Sequence, residues 1–304
     1  MAVGDTITAS RYNIIQARVA SVLGLGAGDE GYGQAVASSQ VSAGSTVTAV
    51  QMNNLLGDMT KCRVHQTNAT PTSALAIAAG DTLEDDNSTS KKGYAQYESL
   101  STTCQTARLS LGAGQTGVES GIASSRSSSW STTITHEATI SFTGYTVTNG
   151  DGSTTTISNV NHMRVFFNAG GTLNFSGTIG TGSTTINNDW RNLMTSVGTV
   201  AFGRTATSNG SVGTSLGFDD MTASYQTIFT KNASAYGAND YTLKAKIASN
   251  VLTFLVEFND DKGPNPNFDE AITAVTTSTI QMSRPNNSSS VNITGPAFAT
   301  TSNL

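Results

Sequence analysis

Charged residues are scarce in this chain of 304 residues, at 12% of the sequence, whereas an ordinary globular protein has about 25%. Lys and Arg number 16 against 21 Asp and Glu, so the net charge is −5. The lack of a basic patch argues against a nucleic-acid partner, because such proteins neutralise phosphates with clustered Lys and Arg. The chain is instead rich in Thr, Ser and Asn and has 30 glycines, a composition typical of all-β proteins with many turns.

Long apolar runs, an export signal and a cysteine framework are also missing. No segment approaches the ~18 apolar residues that a membrane span requires, so we expect no membrane partner. The first ten residues do not combine a basic region with an apolar stretch, which argues against secretion and for synthesis in a cytoplasm. The two cysteines, Cys62 and Cys104, fall in predicted helices, where we expect small buried side chains.

A ten-residue repeat opens the chain, since residues 4–13 (GDTITASRYN) recur as residues 44–53 (GSTVTAVQMN). In each copy a threonine precedes an apolar run with helical spacing and can cap a short amphipathic helix. Two such helices bury little on their own, so their apolar stripes pack together or against a partner subunit. We predict that residues 1–66 form a docking module whose contacts are Tyr12, Ile15, Val19, Val22, Met52, Leu55, Leu56 and Met59.

We predict that residues 67–130 connect the helical module to the β-domain. The first part of this region is turn-rich and polar, and a third helical stripe then runs from Tyr94 through Tyr97 and Cys104 to Leu111, where Gly112 ends it. Residues 115–130 are rich in Ser and Gly, which predicts a flexible linker.

From residue 131 the apolar period changes from 3.6 to 2, which indicates half-buried strands. Residues 149–152 (NGDG) predict a hairpin turn, and Asn250 predicts a second tight turn. Apolar spacing from Asp189 to Val197 predicts one helix that plugs an end of the β-domain. The predicted strands cover residues 134–142, 163–167, 172–175, 197–203, 225–229, 241–247, 252–258 and 272–282. The fold class expected is mainly β, with an antiparallel β-sandwich or jelly roll over residues 131–304 behind the small helical module.

No motif for catalysis or cofactor binding is complete in this sequence. Cys62 and His65 have a C-x-x-H spacing, but no second ligand pair at matching spacing completes a zinc site. The glycine-rich residues 24–28 follow a helix and carry no phosphate-binding lysine. No serine lies in a G-x-S-x-G elbow. We therefore expect no enzyme and no resident cofactor.

Acidic residues after the predicted strand 252–258 are the best candidates for a metal site. Oxygen-rich loops at the end of a β-sandwich can bind Ca²⁺, and the candidates here are Asp260, Asp261 and Asp269. The reading that we favour is that Asp and Asn satisfy the backbones of turns. Glycosidic hydrolysis by paired carboxylates is the least favoured alternative.

Several stretches carry a resemblance to a known group of proteins. They are residues 161–171 (NHMRVFFNAGG), 189–194 (DWRNLM), 224–229 (SYQTIF), 239–246 (NDYTLKAK) and 256–261 (VEFNDD), with 7–10 (ITAS) and 64–67 (VHQT). These stretches, in their order along the chain, resemble virion structural proteins of marine cyanophages and related tailed phages. The resemblance spans nearly the whole chain and implies a part of the particle, without catalytic residues.

Two functions follow as expectations. The first is a structural component of a tailed-phage virion at the neck, tail or capsid surface, assembled in the host cytoplasm as a homo-oligomer with other virion proteins. The alternative is a receptor- or carbohydrate-binding tail-fibre adhesin that recognises a host-surface glycan through loops near Asp219 and Asp260. A cell-wall hydrolase ranks below both.

Overall fold

Each copy of the N-terminal repeat starts a helix, as its threonine predicts. Helix α1 (Ala9–Leu23) follows Thr8, whose hydroxyl accepts a hydrogen bond from the Arg11 amide. Helix α2 (Ala49–Thr67) follows Thr48, which forms a capping box with Gln51, so two amides of the first turn are satisfied. The computed structural model describes residues 8–78, 80–81, 83–234, 236–248, 250–261, 271–302 and 304.

The last residue of the repeat has a second structural role. The Asn13 side chain donates to and accepts from the backbone of Val41, both at 2.9 Å. At the equivalent position, Asn53 makes the same pair of bonds with Ile77, at 2.8 and 2.9 Å. Each copy therefore encodes a capped helix start and an asparagine that holds an extended segment further along the chain.

A third helix completes the helical bundle. Helix α3 (Tyr94–Thr106) contacts both α1 and α2, and Tyr94, Tyr97 and Cys104 of its predicted stripe are fully buried. The helix ends at Thr106, earlier than the stripe to Leu111 predicted.

Contacts between residues divide the chain into two compact units. The first comprises the described parts of Met1–Gly117, Thr143–Gly170 and Arg284–Thr294. The second comprises those of Val118–Phe142, Gly171–Ser283 and Gly295–Leu304. This division differs from the three consecutive segments drawn from the sequence, because two stretches from beyond residue 131 belong with the helices.

In one of these stretches, Thr143–Gly170, the predicted hairpin is confirmed and the predicted strand is wrong. Strands β3 (Tyr145–Thr148) and β4 (Thr154–Ile157) pair around the predicted turn at residues 149–152. The predicted strand at 163–167 is instead helix α4 (Asn159–Asn168), whose N-cap Ser158 accepts a hydrogen bond from Asn161. Its last residues are buried almost all round, and a continuous apolar run does not distinguish a buried helix from a buried strand.

The two larger sheets make the protein mainly β, with 31% strand against 26% helix and antiparallel pairing throughout the described registers. Their strands are β1 (Thr116–Arg126), β2 (Ile134–Ser141), β5 (Thr172–Ile179), β6 (Val200–Phe202), β7 (Thr207–Ser208), β8 (Gly213–Thr214), β9 (Gln226–Asn232), β10 (Asp240–Ala248), β11 (Val251–Asn259), β12 (Thr276–Pro285) and β13 (Ala297–Ser302). One sheet has the order β1-β12-β5-β6-β7-β8 and the other β13-β2-β11-β10-β9.

The linker predicted at residues 115–130 is wrong, because most of it is strand β1, which lies beside β12 at a sheet edge. Most β1 side chains are exposed or half-buried. A small, polar residue set suits such an edge strand as well as it suits a linker, so composition alone misled the prediction.

Alternation along the central strands is confirmed. In β2, Ile134, His136, Ala138 and Ile140 are buried, while the intervening residues are half-buried. Strands β10 and β11 form the predicted hairpin, and Asn250 in its turn has a φ of +63°. Within the second unit the Phe254 ring of β11 contacts Phe175 of β5 at 4.7 Å and Phe202 of β6 at 5.0 Å between centroids. Side chains of the two sheets therefore share one core.

The predicted helix of the second unit is confirmed and starts earlier than expected. Helix α5 (Thr185–Val197) is capped by Thr184. The fully buried Trp190 contacts the Trp130 ring at 5.1 Å and the Phe258 ring at 6.1 Å. Across the described residues, no helix has the length and apolarity that would cross a membrane.

Candidate functional site

A polar groove of about 650 Å³ lies within the first unit. Helix α1, the segment that follows it and the β3–β4 hairpin line this groove. Its hydrogen-bonding side chains include Gln16, Ser38, Ser39, Gln40, Asn149 and Asp151. Amides, hydroxyls and one carboxylate in a concave surface can recognise a neutral, polyhydroxylated ligand.

A buried carboxylate fixes the floor of the groove. Asp58 of α2 is fully buried, and its two oxygens accept hydrogen bonds from the amides of Ala37 (3.0 Å) and Ser38 (2.7 Å). Gln16 of α1 donates to the Ser38 carbonyl at 3.1 Å. The backbone at Ser38 is therefore held from two helices, which keeps its side chain in one place.

The hairpin turn forms the opposite wall. Asn149 accepts a hydrogen bond from the Val36 amide at 3.1 Å, and the Gly150 amide donates to the Val36 carbonyl at 2.9 Å. At the rim, the hydroxyl and amide of Ser153 lower the pKa of Asp151. The groove therefore carries one exposed negative charge at neutral pH.

The Ser38 hydroxyl is the distinctive group of the groove. It is buried, with the residue 5% exposed, and its oxygen has no hydrogen-bond partner among the described residues. A buried hydroxyl without a partner costs about 1–3 kcal/mol. Its oxygen is covered by protein, so the accessible polar groups of the groove come from exposed residues such as Gln40 and Asp151.

Beside the groove, one arginine organises the glycine-rich loop 24–33. The Arg164 guanidinium of α4 donates to four backbone carbonyls of this loop, those of Leu25, Gly26, Gly28 and Glu30. Gly26 and Gly28 have φ values of +54° and +57°, which side chains with a Cβ rarely adopt. Burial lowers the pKa of Arg164, but the four carbonyls solvate its charge.

Two neighbours of Arg164 on α4 have similar roles. Asn168 donates to the carbonyls of Gly28 and Glu30, at 3.1 and 2.9 Å. The ring nitrogens of His162 lie 2.7 Å from the Thr143 carbonyl and 2.8 Å from the Thr294 carbonyl. Helix α4 thus joins the three stretches of chain that make up the first unit.

No protein-family model matches the chain, and no curated protein or solved structure has significant similarity to it.

The structure corrects the docking prediction for the helical stripes. Seven of the eight side chains are at most 2% exposed, namely Tyr12, Ile15, Val19, Val22, Met52, Leu55 and Met59, and Leu56 is half-buried. The stripes find their partner within the chain, because α3 packs against both α1 and α2. These residues are the core of the first unit and do not form a free docking face.

Two of the three acidic candidates, Asp260 and Asp261, belong to the second unit. Asp260 is 8% exposed and Asp261 is exposed, while Asp269 lies outside the described residues. No group of three His, Cys, Asp or Glu side chains that could bind a metal occurs in the part of the chain that the structure describes. Calcium binding at these residues stays a prediction.

Of the neighbouring acids, Asp220 satisfies a turn backbone as the turn interpretation predicts, whereas Asp219 and Glu257 form ion pairs. Asp219 forms an ion pair with Arg204 at 2.6 Å, and Asp220 accepts a hydrogen bond from the Gly217 amide at 3.0 Å. Glu257 pairs with Lys244 across the β10–β11 hairpin at 2.8 Å.

Sequence reasoning missed the residues that build the groove. Asp58 and Ser38 carry no local signal, since their roles depend on contacts between distant segments. Asn13 and Asn53 did carry one, because they occupy the same position in both copies of the repeat. Arg164 lies within residues 161–171, which carry the resemblance, but the sequence predicts a strand at 163–167.

We predict that acid destabilises the first unit through His65, whose Nε2 lies 3.1 Å from the Ala169 carbonyl. Burial lowers the pKa of His65 to about 4, whereas the unfolded chain has about 6.5. The unfolded state then binds more protons between these values, so the stabilisation is complete above pH 6.5 and is lost as the pH falls to 4. The loss should reach roughly 3 kcal/mol.

Urea unfolding at several pH values measures this, with dithiodipyridine labelling of the two buried cysteines, both in the first unit, as the readout. In His65→Gln the amide keeps a donor for the Ala169 carbonyl but does not titrate. We expect its stability to change less than that of the wild type between pH 6.5 and 4.5. Parallel pH profiles for the two proteins would contradict the prediction.

Proposed function

We propose that the protein is a structural component of a tailed-phage particle, at the neck, tail or capsid surface. The observation that carries the proposal is the use of polar residues in the stretch that most resembles virion proteins. His162, Arg164 and Asn168 all make hydrogen bonds to backbone carbonyls inside the first unit. Residues that fix a fold in this way suit a protein whose task is to keep its shape.

The second unit fits this role as a displayed β-domain. We propose that its two sheets form a β-sandwich of the jelly-roll type, which the shared contacts of Phe254 with Phe175 and Phe202 support. On the face of β2 away from the core, Thr135, Thr139 and Ser141 are half-buried, and their hydroxyls solvate that face with few charged groups. Such a surface suits a homo-oligomer that contacts other virion proteins after assembly in the host cytoplasm.

Mass spectrometry and immunogold labelling of purified tailed-phage particles test the proposal. We expect the chain to remain with the particles through a density gradient and a high-salt wash, and an antibody to label one location. Light scattering of the purified chain should give a mass larger than that of a monomer. Recovery of the chain in the soluble fraction alone, with unlabelled particles, would contradict a virion role.

The polar groove favours a second candidate function, a glycan-binding adhesin module. The exposed side chains of Gln40 and Asp151 line the groove, and their amide and carboxylate groups can bond to sugar hydroxyls. This location differs from the loops near Asp219 and Asp260 that the sequence suggested. The described lining contains no aromatic platform, so we expect weak binding.

We predict that Gln40→Ala weakens glycan binding without destabilising the protein, because it removes an exposed amide from the groove lining. A glycan array followed by saturation-transfer NMR measures binding, and urea unfolding measures stability. The control is Ser42→Ala, an exposed serine of the same segment, which should bind like the wild type. An array without signal, or equal binding by the Gln40 variant, would exclude this function for the groove.

A further inference from the structure

The only two cysteines of the chain come together in the core of the first unit. Cys62 lies on α2 and Cys104 on α3, helices that pack against each other, and neither side chain is exposed. Both are free thiols in this structure. Nothing in the composition required two isolated cysteines to become neighbours.

One hydrogen bond and the direction of helical side chains bring the two thiols close together. The Cys104 thiol donates to the Met59 carbonyl of α2, with Sγ and O 3.6 Å apart. Met59 lies one turn before Cys62, and helical side chains lean towards the N-terminus, so the Cys62 sulfur lies over the same turn. Interaction with the neighbouring Cys104, together with burial, raises the pKa of the Cys62 thiol.

Two other uses of this pair fit the geometry less well. His65 lies one turn after Cys62, but the three side chains do not form a group that could hold a metal ion, and none occurs elsewhere in the described residues. A nucleophilic cysteine needs a thiolate in an electropositive, accessible position. Cys62 is instead buried and held in its protonated form.

We propose that Cys62 and Cys104 are a site of oxidative modification, at which an internal disulfide joins α2 to α3. The oxidant is a small-molecule disulfide. The thiolate of one cysteine attacks it, forms a mixed disulfide and releases one thiol. The second cysteine then attacks the mixed disulfide at the protein sulfur, which forms the Cys62–Cys104 bond and releases the second thiol. The two cysteine protons end on the two released thiols.

Burial sets the conditions of this reaction. Attack requires a thiolate and access to an outside reagent, so the first step depends on a transient opening of the first unit. Once formed, the bond is shielded by the same packing and resists reduction. A chain made in a reducing cytoplasm would therefore carry free thiols and acquire the disulfide after release into an oxidising medium. The inference stands independently of the proposed virion role.

The test uses the purified full-length chain, incubated with oxidised glutathione at a urea concentration below the unfolding transition. We expect thiol titration of the denatured product to fall from two thiols per chain to none. Intact mass should decrease by two hydrogens, and peptide mapping should recover residues 62 and 104 in one linked pair. The oxidised chain should melt at a higher temperature than the reduced chain.

Cys62→Ala and Cys104→Ala serve as controls, since each retains one thiol and can form only a mixed disulfide. Their melting temperatures should not rise on oxidation. Three results would each overturn the proposal. They are two thiols that persist even after refolding from full denaturation in the same oxidant, two separate glutathione adducts on the wild type, and an internal disulfide that forms only in denatured chain and prevents refolding.

Discussion

Replacing Phe254 by alanine should destabilise the second unit by about 4 kcal/mol, the largest effect that we expect from a single substitution in the chain. Large-to-small substitutions at fully buried aromatic positions cost about 3–5 kcal/mol, because the lost transfer energy adds to that of the cavity. The Phe254 side chain is unexposed and packs against Phe175 and Phe202 from the facing sheet. Its removal therefore weakens the contact between the two sheets.

Tryptophan fluorescence measures this effect selectively. Both tryptophans, Trp130 and Trp190, are buried in the second unit, so their emission reports on its unfolding in urea. The matched control is Leu255→Ala, a half-buried leucine on the opposite face of β11, which should cost less than half as much. Equal losses for the two variants would mean that the two sheets do not share the core described for Phe254.

Arg164→Met should destabilise the first unit by about 3 kcal/mol. Methionine keeps much of the apolar stem but leaves four loop carbonyls without the guanidinium that donates to them. Hydrogen bonds to charged groups contribute roughly 1.5–3 kcal/mol each, and buried carbonyls left unpaired carry a further cost. Water will satisfy part of the loop, since Arg164 is only half-buried, which keeps the expected loss below the sum of the bonds.

Urea unfolding with thiol labelling measures the loss, because both cysteines lie in the first unit. Arg164→Lys should retain less than half of the stabilisation, since an ammonium group cannot reach carbonyls that a planar fork contacts together. The control Arg63→Met, in the first unit, removes a half-buried arginine that donates to Gln66 of its own helix, and should change stability by less than about 0.5 kcal/mol. If Arg164→Met behaved like this control, the loop would not depend on the guanidinium.

The two predictions probe the two kinds of interaction that hold this protein together. The second unit depends on apolar side chains that strand alternation directs into one core. The first unit depends in addition on polar side chains that bind the backbone of distant segments, such as Asn13, Asp58 and Arg164. Asp58 and Arg164 show that some of the few ionic groups of this chain lie where the backbone would otherwise lack a partner.

This difference explains which predictions from sequence succeeded. Helix starts at Thr8 and Thr48, the turn at residues 149–152 and the buried faces of β2 and β11 follow from local rules. The strand predicted at 163–167 is a helix. The prediction is wrong because the last residues of this helix are buried almost all round, so their apolar residues show no helical period. The linker predicted at 115–130 is mostly an edge strand. The prediction is wrong because edge strands tolerate the same small polar residues as linkers.

The sequence alone determined where α1 and α2 begin, which faces of β2 and β11 are apolar, and that the fold is mainly β. Only the tertiary structure decided that the helical stripes bind each other and α3 instead of a partner subunit. It alone also placed Ser38 in a groove and Cys62 beside Cys104. The physical reason is the separation along the sequence over which each interaction acts. Capping and alternation act between residues close in sequence, whereas the choice of a packing partner depends on segments that meet only after the chain has folded.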